Sequence, residues 1–457
     1  MMKNAMYLIV LVCFLVSPVT VHAQDENPEV FLETERSEFQ KIPIWIMGFA
    51  GSENPSEDDA GIGKQVGSIL QADLRRTHVF KVMKRATDVL PLSKAGCEEK
   101  APIVKARASN APVATWGRIG RKDGKLLLEA CAYDGGGTDS VAIGKRYTGK
   151  PINVRLLRSM VHRWADALVE HYSGDSGIAR TEIMYVSEDK TGRRHIYKMD
   201  YDGFGPRRVT SDPILSLMPD WSPDRRAVVY TTYHDNNQEI VRIELGKKLG
   251  QGNKRTLVPS QILNITPAVS PDGRQLAYAS AKDSARKSNS DIFIMDLSTE
   301  KKTQLTRRAS AELSPAWSPD GRELAFTSDQ TGRPQIYIMR ADGKKVRRLT
   351  FGGRYNAAPS WSPRGDWIAY VCRLPGYGLK LCRISVDGKR RVQITSGPPS
   401  EIDDSPSWAP DGRHLVFSST RGGRSHIFMI QYDGTGLEQL TKGGIHHSSP
   451  AWSPLSE

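Results

Sequence analysis

The chain has 457 residues, of which 39% are hydrophobic and 25% charged, so it can bury a large core and is not disordered by composition. Its 40 glycines and 27 prolines favour many short strands joined by turns and exclude a mainly helical protein. The formal net charge of +13 would suit nucleic acid in the cytoplasm, whereas in an exported protein it suits anionic envelope polymers or acidic protein patches. An ordinary solvated basic surface is the simplest interpretation of this charge.

The first 23 residues have the pattern of a secretory signal peptide. Lys3 precedes an apolar run at Ala5–Val16, and Val21-His22-Ala23 is a small-x-small cleavage site. The run is shorter than a membrane span and is followed by Pro18, so we expect cleavage rather than anchoring. Cys13 would be removed with the peptide. The sequence therefore predicts a mature product in an exported compartment.

Four cysteines remain in the mature chain, and export permits disulfides between them. Cys97 and Cys131 are one possible pair, in the N-terminal part. Cys372 and Cys382 flank a turn sequence and could bridge the two strands of a hairpin. The sequence has no CxxC motif and no Cys/His cluster, so we expect no zinc or redox centre.

Residues 24–175 are predicted to form a flexible arm and a small α/β domain with a mixed sheet. The arm, Gln24–Pro28, is acidic, polar and without periodicity. The predicted strands are Ile42–Met47, Val79–Met83, Val113–Trp116, Lys125–Tyr133 and Val141–Tyr147. The apolar faces of two predicted helices are Ile62, Val66, Ile69, Leu70 and Leu74, then Val154, Leu157, Met160, Val161, Trp164 and Leu168. A linker at Ser173–Gly177 leads into residues 176–457.

Residues 176–457 contain one motif six times. The copies are Trp221-Ser222-Pro223-Asp224, Val269-Ser270-Pro271-Asp272-Gly273, Trp317-Ser318-Pro319-Asp320-Gly321, Trp361-Ser362-Pro363-Arg364-Gly365, Trp408-Ala409-Pro410-Asp411-Gly412 and Trp452-Ser453-Pro454. A period slightly above 40 residues with about four short strands per copy is typical of a β-propeller. We name the strands of each blade A to D and place the motif at the A–B turn.

The two ends of the repeat array predict how the ring closes. Ile183–Thr210 supplies strands B, C and D without a preceding strand A, and Pro450–Ser453 supplies a strand A with nothing after it. Joining them gives six complete blades and leaves no free sheet edge. The fold class is therefore a small α/β domain followed by an all-β six-bladed propeller, with the last strand closing the first blade.

The two faces of the predicted propeller differ. Successive strands are antiparallel, so the A–B and C–D turns share one face, here called the turn face, which repeats Asp-Gly sequences. The D–A and B–C connections share the opposite face, here called the loop face. Its loops differ between blades, and loops on a rigid scaffold often carry binding sites. These loops are Gln261–Thr266, Ala309–Leu313, Arg354–Asn356, Glu401–Asp404 and Ile445–His447.

The sequence contains only weak matches to motifs for catalysis, cofactors and metals. Gly174-Asp175-Ser176-Gly177 resembles a serine-protease nucleophile sequence but lies in the linker, and Gly61-Ile62-Gly63-Lys64 lacks the spacing of a phosphate loop. No G-x-S-x-G elbow is present. Adjacent residues on a strand point to opposite sides, so His446-His447 is a poor metal pair. We expect no catalytic residue, no cofactor and no metal.

The chain resembles the TolB family of the Tol-Pal envelope system over essentially its whole mature length. The resemblance is carried by Ile42-Pro43-Ile44 with Gly48-Phe49-Ala50-Gly51, by Ala72-Asp73-Leu74-Arg75-Arg76, by Phe326–Tyr337 and by Ala451-Trp452-Ser453-Pro454. It implies a non-catalytic periplasmic adaptor whose propeller binds the peptidoglycan-associated lipoprotein (Pal) and whose N-terminal part binds TolA. It also implies a role in outer-membrane integrity and constriction at cell division.

The resemblance also implies which residues contact the partners. The Pal-contacting positions carried over from the family would be Asn264, Thr266 and Leu313. The variable loops of the same face add Tyr355, Asn356, Asp403 and His446 as candidate Pal contacts. The TolA-contacting arm would include Asp25, Glu26, Asn27 and Glu29. We expect a monomer that reaches the outer membrane through its partner and does not bind nucleic acid. The alternative is an exported propeller that binds or processes envelope glycans, which would need convergent carboxylates or a metal in the central channel.

Overall fold

The computed structural model describes residues 40–51, 59–84, 95–136, 140–234, 237–246, 252–259, 263–281 and 289–455. The predicted signal peptide and the N-terminal arm lie outside these residues. The predicted fold class is confirmed: a five-stranded sheet with helices precedes six four-stranded sheets. Among the described residues, no helix has both the length and the apolar character that a membrane-spanning segment requires.

The α/β domain has a mixed sheet in the order β2-β1-β3-β4-β5. Its strands are β1 (Ile42–Ala50), β2 (Phe80–Val82), β3 (Val113–Lys122), β4 (Lys125–Asp134) and β5 (Val141–Gly149). Its helices are α1 (Asp59–Arg76), α2 (Ala101–Ala108) and α3 (Val154–Ser173). Strand β1 pairs in parallel with both neighbours, and the β3–β4–β5 part is antiparallel. The Cys97–Cys131 disulfide joins β4 to the segment before α2.

The six blades each run from an inner strand A to an outer strand D. Blade 1 is β29 (His447–Trp452), β6 (Glu182–Glu188), β7 (Arg194–Asp200) and β8 (Arg207–Arg208). Blade 2 is β9 (Ser216–Trp221), β10 (Ala227–His234), β11 (Asn237–Glu244) and β12 (Lys254–Val258). Blade 3 is β13 (Leu263–Val269), β14 (Gln275–Ala281), β15 (Asp291–Asp296) and β16 (Lys302–Gln304). The antiparallel pairing of β29 with β6 closes the ring as predicted.

The remaining three blades follow in chain order. Blade 4 is β17 (Glu312–Trp317), β18 (Glu323–Ser328), β19 (Gln335–Arg340) and β20 (Arg347–Arg348). Blade 5 is β21 (Asn356–Trp361), β22 (Trp367–Leu374), β23 (Gly378–Ser385) and β24 (Arg391–Gln393), and the Cys372–Cys382 disulfide joins its β22 to β23. Blade 6 is β25 (Asp403–Trp408), β26 (His414–Ser419), β27 (His426–Gln431) and β28 (Glu438–Gln439).

The Ser-Pro-Asp-Gly motif forms the A–B turn through side-chain hydrogen bonds. In blade 4, the Ser318 hydroxyl donates to the Asp320 carboxylate at 2.6 Å, and the Arg322 N–H donates to the same carboxylate at 3.1 Å. Gly321 has a φ of 70°, which glycine adopts without steric cost. The motif therefore repeats because each copy builds the same turn.

Every strand A carries a bulge just before its proline. The residue before the proline has a φ between 48° and 53° in all six blades; these residues are Met218, Thr266, Ser314, Ala358, Ser405 and Ser449. The bulge shifts the register against strand B, as between Leu313 and Ala316. Proline is tolerated here because strand A is the inner edge of its sheet. The strand A tryptophans are buried, and Trp221, Trp317 and Trp408 donate their indole N–H groups to strand A carbonyls of the preceding blade.

The α/β domain packs on the turn face of the propeller. Arg76 at the end of α1 pairs with Glu438 of blade 6, and Arg158 of α3 pairs with Asp202 in the C–D turn of blade 1. One apolar core extends across this junction, from Trp164 of α3 to Tyr201 of blade 1. The loop face therefore lies at the opposite end of the blades from the α/β domain.

Candidate functional site

The candidate site is the loop face, where sequence reasoning placed the Pal-contacting residues. The structure buries three of the seven predicted side chains, Asn264, Asn356 and Asp403. Each is the first or second residue of a strand A and bonds within the propeller rather than facing outward. Ser280 donates to Asn264 at 2.8 Å, the Asn356 amide donates to Gln335 at 2.8 Å, and Ser419 donates to Asp403 at 2.6 Å.

The other four predicted residues are at least partly accessible. His446 is exposed, while Thr266, Leu313 and Tyr355 are half-buried. Thr266 lies at a strand A bulge, and its hydroxyl accepts the Ser314 N–H at 3.2 Å, so it also links blades 3 and 4. Burial, with the nearby Asp404, raises the pKa of Tyr355 to about 12. These four side chains are the part of the predicted set that a partner can touch directly.

His446 and its neighbour His447 point to different surroundings, as expected for adjacent residues. His447 is buried and packs edge-on against Tyr185, with the His426 ring centroid 5.5 Å from its own. Burial and the facing His426 lower the pKa of His447 to about 4. The ring is therefore neutral at neutral pH and forms part of the junction between blades 6 and 1.

Sequence reasoning missed several exposed apolar side chains on the same face. Phe351 and Ile445 lie in D–A loops and are 75% and 37% exposed. Ile214, in another D–A loop, is 46% exposed, and Tyr377, in the B–C hairpin of blade 5, is 45% exposed. The signal that could have found them is an apolar residue among Gly, Pro and Arg in a loop, as in Phe351-Gly352-Gly353-Arg354.

Besides the buried Glu312 and Asp403, the described inner strands around the central channel carry the carboxylates Asp220 and Asp404. Asp220 accepts the Val269 N–H at 2.7 Å, and burial raises its pKa to about 6. Burial also raises the pKa of Asp404. Asp220 is next to last in its strand A and Asp404 is second in its own, so the two lie about 10 Å apart along the strand direction, toward opposite ends of the channel.

A second polar cluster lies at the domain junction. Asp73 accepts hydrogen bonds from Tyr201 at 2.6 Å and from His162 at 2.7 Å. Ligand atoms of Asp73, His162 and Asp202 lie within 4.8 Å of one another, a spacing that could suit a metal ion. Asp202, however, already pairs with the guanidinium of Arg158. The cluster has its own cation in that side chain and needs no metal to balance its charge.

The linker residue Asp175 forms another part of this junction. Its carboxylate lies 3.2 Å from Arg364 and 3.1 Å from Arg413, in the A–B turns of blades 5 and 6. It also lies 3.4 Å from His78, and burial with the nearby Arg413 lowers the pKa of His78 to about 4. The sequence Gly174-Asp175-Ser176-Gly177 therefore includes an ion-pair anchor for the linker.

Comparisons with known proteins agree with this architecture. The model of the TolB beta propeller domain matches residues 169–456. The Tol-Pal system protein TolB of Desulfosudis oleivorans is 29% identical over 244 residues, 53% of this chain and 53% of that protein, so the chain spans about half the length of the curated relative it matches. TolB from Acinetobacter baumannii has the same fold, with a TM-score of 0.76 at 24% identity over 91% of this chain and 97% of that one.

The propeller alone does not identify a family, because unrelated proteins also contain it. The hydrazine synthase of Kuenenia stuttgartiensis reaches a TM-score of 0.50 at 14% identity, over 62% of this chain and 48% of that chain. The family model is more specific, and it covers well over half of the chain, including every blade. The protein therefore belongs to the TolB β-propeller family.

Proposed function

We propose that this protein is a non-catalytic periplasmic adaptor of the Tol-Pal envelope system. It binds Pal through the loop face and TolA through its N-terminal part, and so supports outer-membrane integrity and constriction during cell division. The observation that carries the proposal is the match of the TolB propeller model across residues 169–456. The Desulfosudis oleivorans relative, which is named as a Tol-Pal system protein, supports it.

The arrangement of the two domains favours the loop face for Pal. The α/β domain covers part of the turn face at blades 1, 5 and 6, through Asp202, Arg364 and Glu438. A partner on the loop face would meet no competition from that domain. The predicted contacts that remain accessible there are Thr266, Leu313, Tyr355 and His446.

Titration calorimetry of the mature chain against the soluble domain of Pal from the same cell tests this proposal. We expect micromolar or tighter binding, which the combined change of Leu313, Tyr355 and His446 to alanine abolishes. Changing Lys344 and Lys345 on the turn face to alanine is the matched control and leaves the affinity unchanged. Absence of binding by the unmodified chain at high concentration would contradict the adaptor proposal.

The N-terminal arm is the proposed TolA contact, through Asp25, Glu26, Asn27 and Glu29. We propose that the arm either docks on its own domain or is released, and that Pal binding favours one of these states. Deleting Asp25–Glu33 is expected to weaken TolA binding while the propeller stays folded. Unchanged TolA binding by this deletion variant would contradict the arm's role.

The alternative function, binding or processing of envelope glycans, has less support from the channel. Glycoside hydrolysis uses two carboxyl groups about 5 to 10 Å apart, on either side of one bond. Asp220 and Asp404 lie on blades 2 and 6, and each carboxylate is already engaged by a backbone N–H, of Val269 and of Ser405. Turnover of envelope glycans by the purified chain would favour this alternative over the adaptor.

A further inference from the structure

In the described part of the loop face, the exposed charged side chains are all basic. Those in the D–A loops are Arg307, Arg308, Arg354 and Lys442. Those in or beside the B–C connections are Lys190, Arg193, Arg333, Arg373 and Arg424. None of these cations forms an ion pair with a carboxylate of the described residues. No aspartate or glutamate in the described part of this face is as exposed as they are.

Within the described residues, several acidic side chains of the loop face are held in ion pairs inside the propeller. Asp212 pairs with Lys254, and Arg421 pairs with both Glu401 and Asp403. The turn face differs, because its turns expose acidic side chains beside basic ones. Exposed examples are Asp224, Asp272, Asp320, Asp342 and Asp387. Among the described residues, exposed positive charge is therefore balanced on the turn face and unbalanced on the loop face.

The most developed patch on this face lies on blade 5, and we call Phe351, Arg354, Arg373 and Tyr377 the blade 5 patch. Two loops supply these residues, and the Arg373 N–H donates to the Tyr355 carbonyl at 2.9 Å, which ties the loops together. The Cys372–Cys382 disulfide braces the hairpin that carries Arg373 and Tyr377. The patch thus presents two exposed rings and two unpaired guanidinium groups on a fixed backbone.

We propose that the loop face recognises an acidic surface of a partner protein, with the blade 5 patch at the centre of the contact. This inference rests on the proposed adaptor function and names the chemistry of its partner. Arginine binds carboxylates with two parallel hydrogen bonds, and aromatic residues with arginine are the side chains that most often dominate the energy of protein interfaces. The surrounding cations accelerate encounter with an acidic partner.

A protein fits these observations better than an anionic lipid surface. Most of the exposed cations are arginines, whose planar groups suit defined carboxylate positions. The rings of Phe351 and Tyr377 stand on loops held by a disulfide and a backbone hydrogen bond, which suits pockets of fixed shape. A fluid headgroup layer would not need such fixed anchors.

The test measures the affinity of the mature chain for the soluble domain of Pal between 50 and 300 mM salt, near the range over which charge screening changes strongly. We expect binding to weaken at least tenfold across this range. The double variant Arg354→Glu/Arg373→Glu should bind Pal at least tenfold more weakly at low salt. The double variant Phe351→Ala/Tyr377→Ala should bind Pal about tenfold more weakly at any salt. The matched control, Lys344→Glu/Lys345→Glu on the turn face, should change neither quantity.

The outcomes separate this inference from the proposed function. Tight Pal binding that is insensitive to salt and to the Arg354/Arg373 reversal would overturn the acidic-partner inference and leave the adaptor proposal standing. Absence of Pal binding by the unmodified chain would overturn the adaptor proposal and this inference with it. Binding to phosphatidylglycerol vesicles, lost in the Arg354/Arg373 variant while Pal binding is retained, would overturn the inference in favour of a lipid surface. Thermal unfolding of each variant checks that it is folded.

Discussion

Six equivalent residues begin the inner strands of the propeller just beneath the loop face. They are His447, Ser216, Asn264, Glu312, Asn356 and Asp403, and all are buried. Their hydrogen bonds and ring contacts join strand A to strand B of its own blade or to a neighbouring blade. A buried polar group that loses its partner costs about 1–3 kcal/mol, so these positions stabilise the native arrangement of the strands.

His447 should make the stability of the propeller sensitive to acid. Its pKa is about 4 in the folded chain against an ordinary 6.5, so the unfolded chain binds more protons between these values. The contribution of the neutral His447 ring to the free energy of unfolding is complete above pH 6.5 and is lost as the pH falls toward 4. This loss amounts to about 2 kcal/mol between pH 7 and pH 5. We expect His447→Gln to remove that part of the pH dependence, as measured by urea unfolding at the two pH values.

The adjacent exposed residue supplies the control for this prediction. His446→Gln should leave the difference between pH 7 and pH 5 unchanged, because His446 is exposed and lies outside the buried contact with Tyr185. Equal pH dependence in the unmodified chain and in His447→Gln would show that burial of this imidazole does not set the acid sensitivity.

At the residue scale, the predicted contact set contains both accessible and buried side chains. Asn264, taken from the family resemblance, and Asn356 and Asp403, taken from variable loops, are buried as hydrogen-bonding groups. A polar residue at a strand end has the same sequence pattern whether it faces solvent or a buried partner. Phe351 and Tyr377 were missed because apolar residues usually signal core, and only the blade geometry shows that they stand outside it.

At the element scale, the bulge of strand A makes a test of backbone strain possible within one blade. Ala358 has a φ of 52°, a conformation that costs an L-residue about 1–2 kcal/mol and glycine almost nothing. Its neighbour Ala357 is extended and buried. We expect Ala358→Gly to raise the free energy of unfolding by about 0.5 kcal/mol and Ala357→Gly to lower it by about 1.5 kcal/mol.

Urea unfolding of the two single variants measures this contrast in sign. The pair is matched in chemistry, because both changes remove one methyl group from the same strand, at a left-handed position and at an extended, more buried one. Equal destabilisation by the two changes would mean that the bulge carries no strain at Ala358.

Elements with strong periodicity were predictable, and those without it were not. The apolar face of α3 and the six copies of the repeat motif predicted the helix and the blades close to their observed positions. Helix α2 was missed because it is only eight residues long and its buried residues, Pro102, Ile103 and Ala106, do not form a clear apolar stripe. It starts with proline in its first turn, which was its one usable signal.

At the scale of the whole molecule, the sequence predicted six blades and their closure, but not which face receives the α/β domain. The turn face appeared uniform, since its Asp-Gly sequences are explained by turn geometry alone. The docking residues Asp175, Asp202 and His414 are scattered through the chain, and each has an ordinary local role in a turn or linker. Only the folded arrangement brings them together.

His414 gives the domain junction its own pH dependence. Its Nδ1 lies 2.6 Å from Asp411, and its Nε2 lies 2.8 Å from the carbonyl of Arg76 in α1, so both nitrogens donate and the charged ring fits the site. Burial opposes this charge, but Asp411 raises the pKa of His414 above its ordinary value of 6.5. The stabilisation of the folded chain by the charged His414 ring is therefore complete below pH 6.5. It is lost as the pH rises through the raised pKa of His414.

We expect this residue to couple the unfolding of the two domains. His414→Gln removes the charged ring and leaves Asp411 buried without its partner, at a cost of about 3 kcal/mol. Calorimetry at pH 6.5 should show one transition for the unmodified chain and an earlier, separate α/β transition for the variant. Raising the pH to 9 should make the unfolding transitions of the unmodified chain resemble those of the variant. The control His171→Gln changes an exposed residue of α3 and should unfold as the unmodified chain does. A single transition in His414→Gln at both pH values would show that the apolar core across the junction, rather than this ion pair, couples the domains.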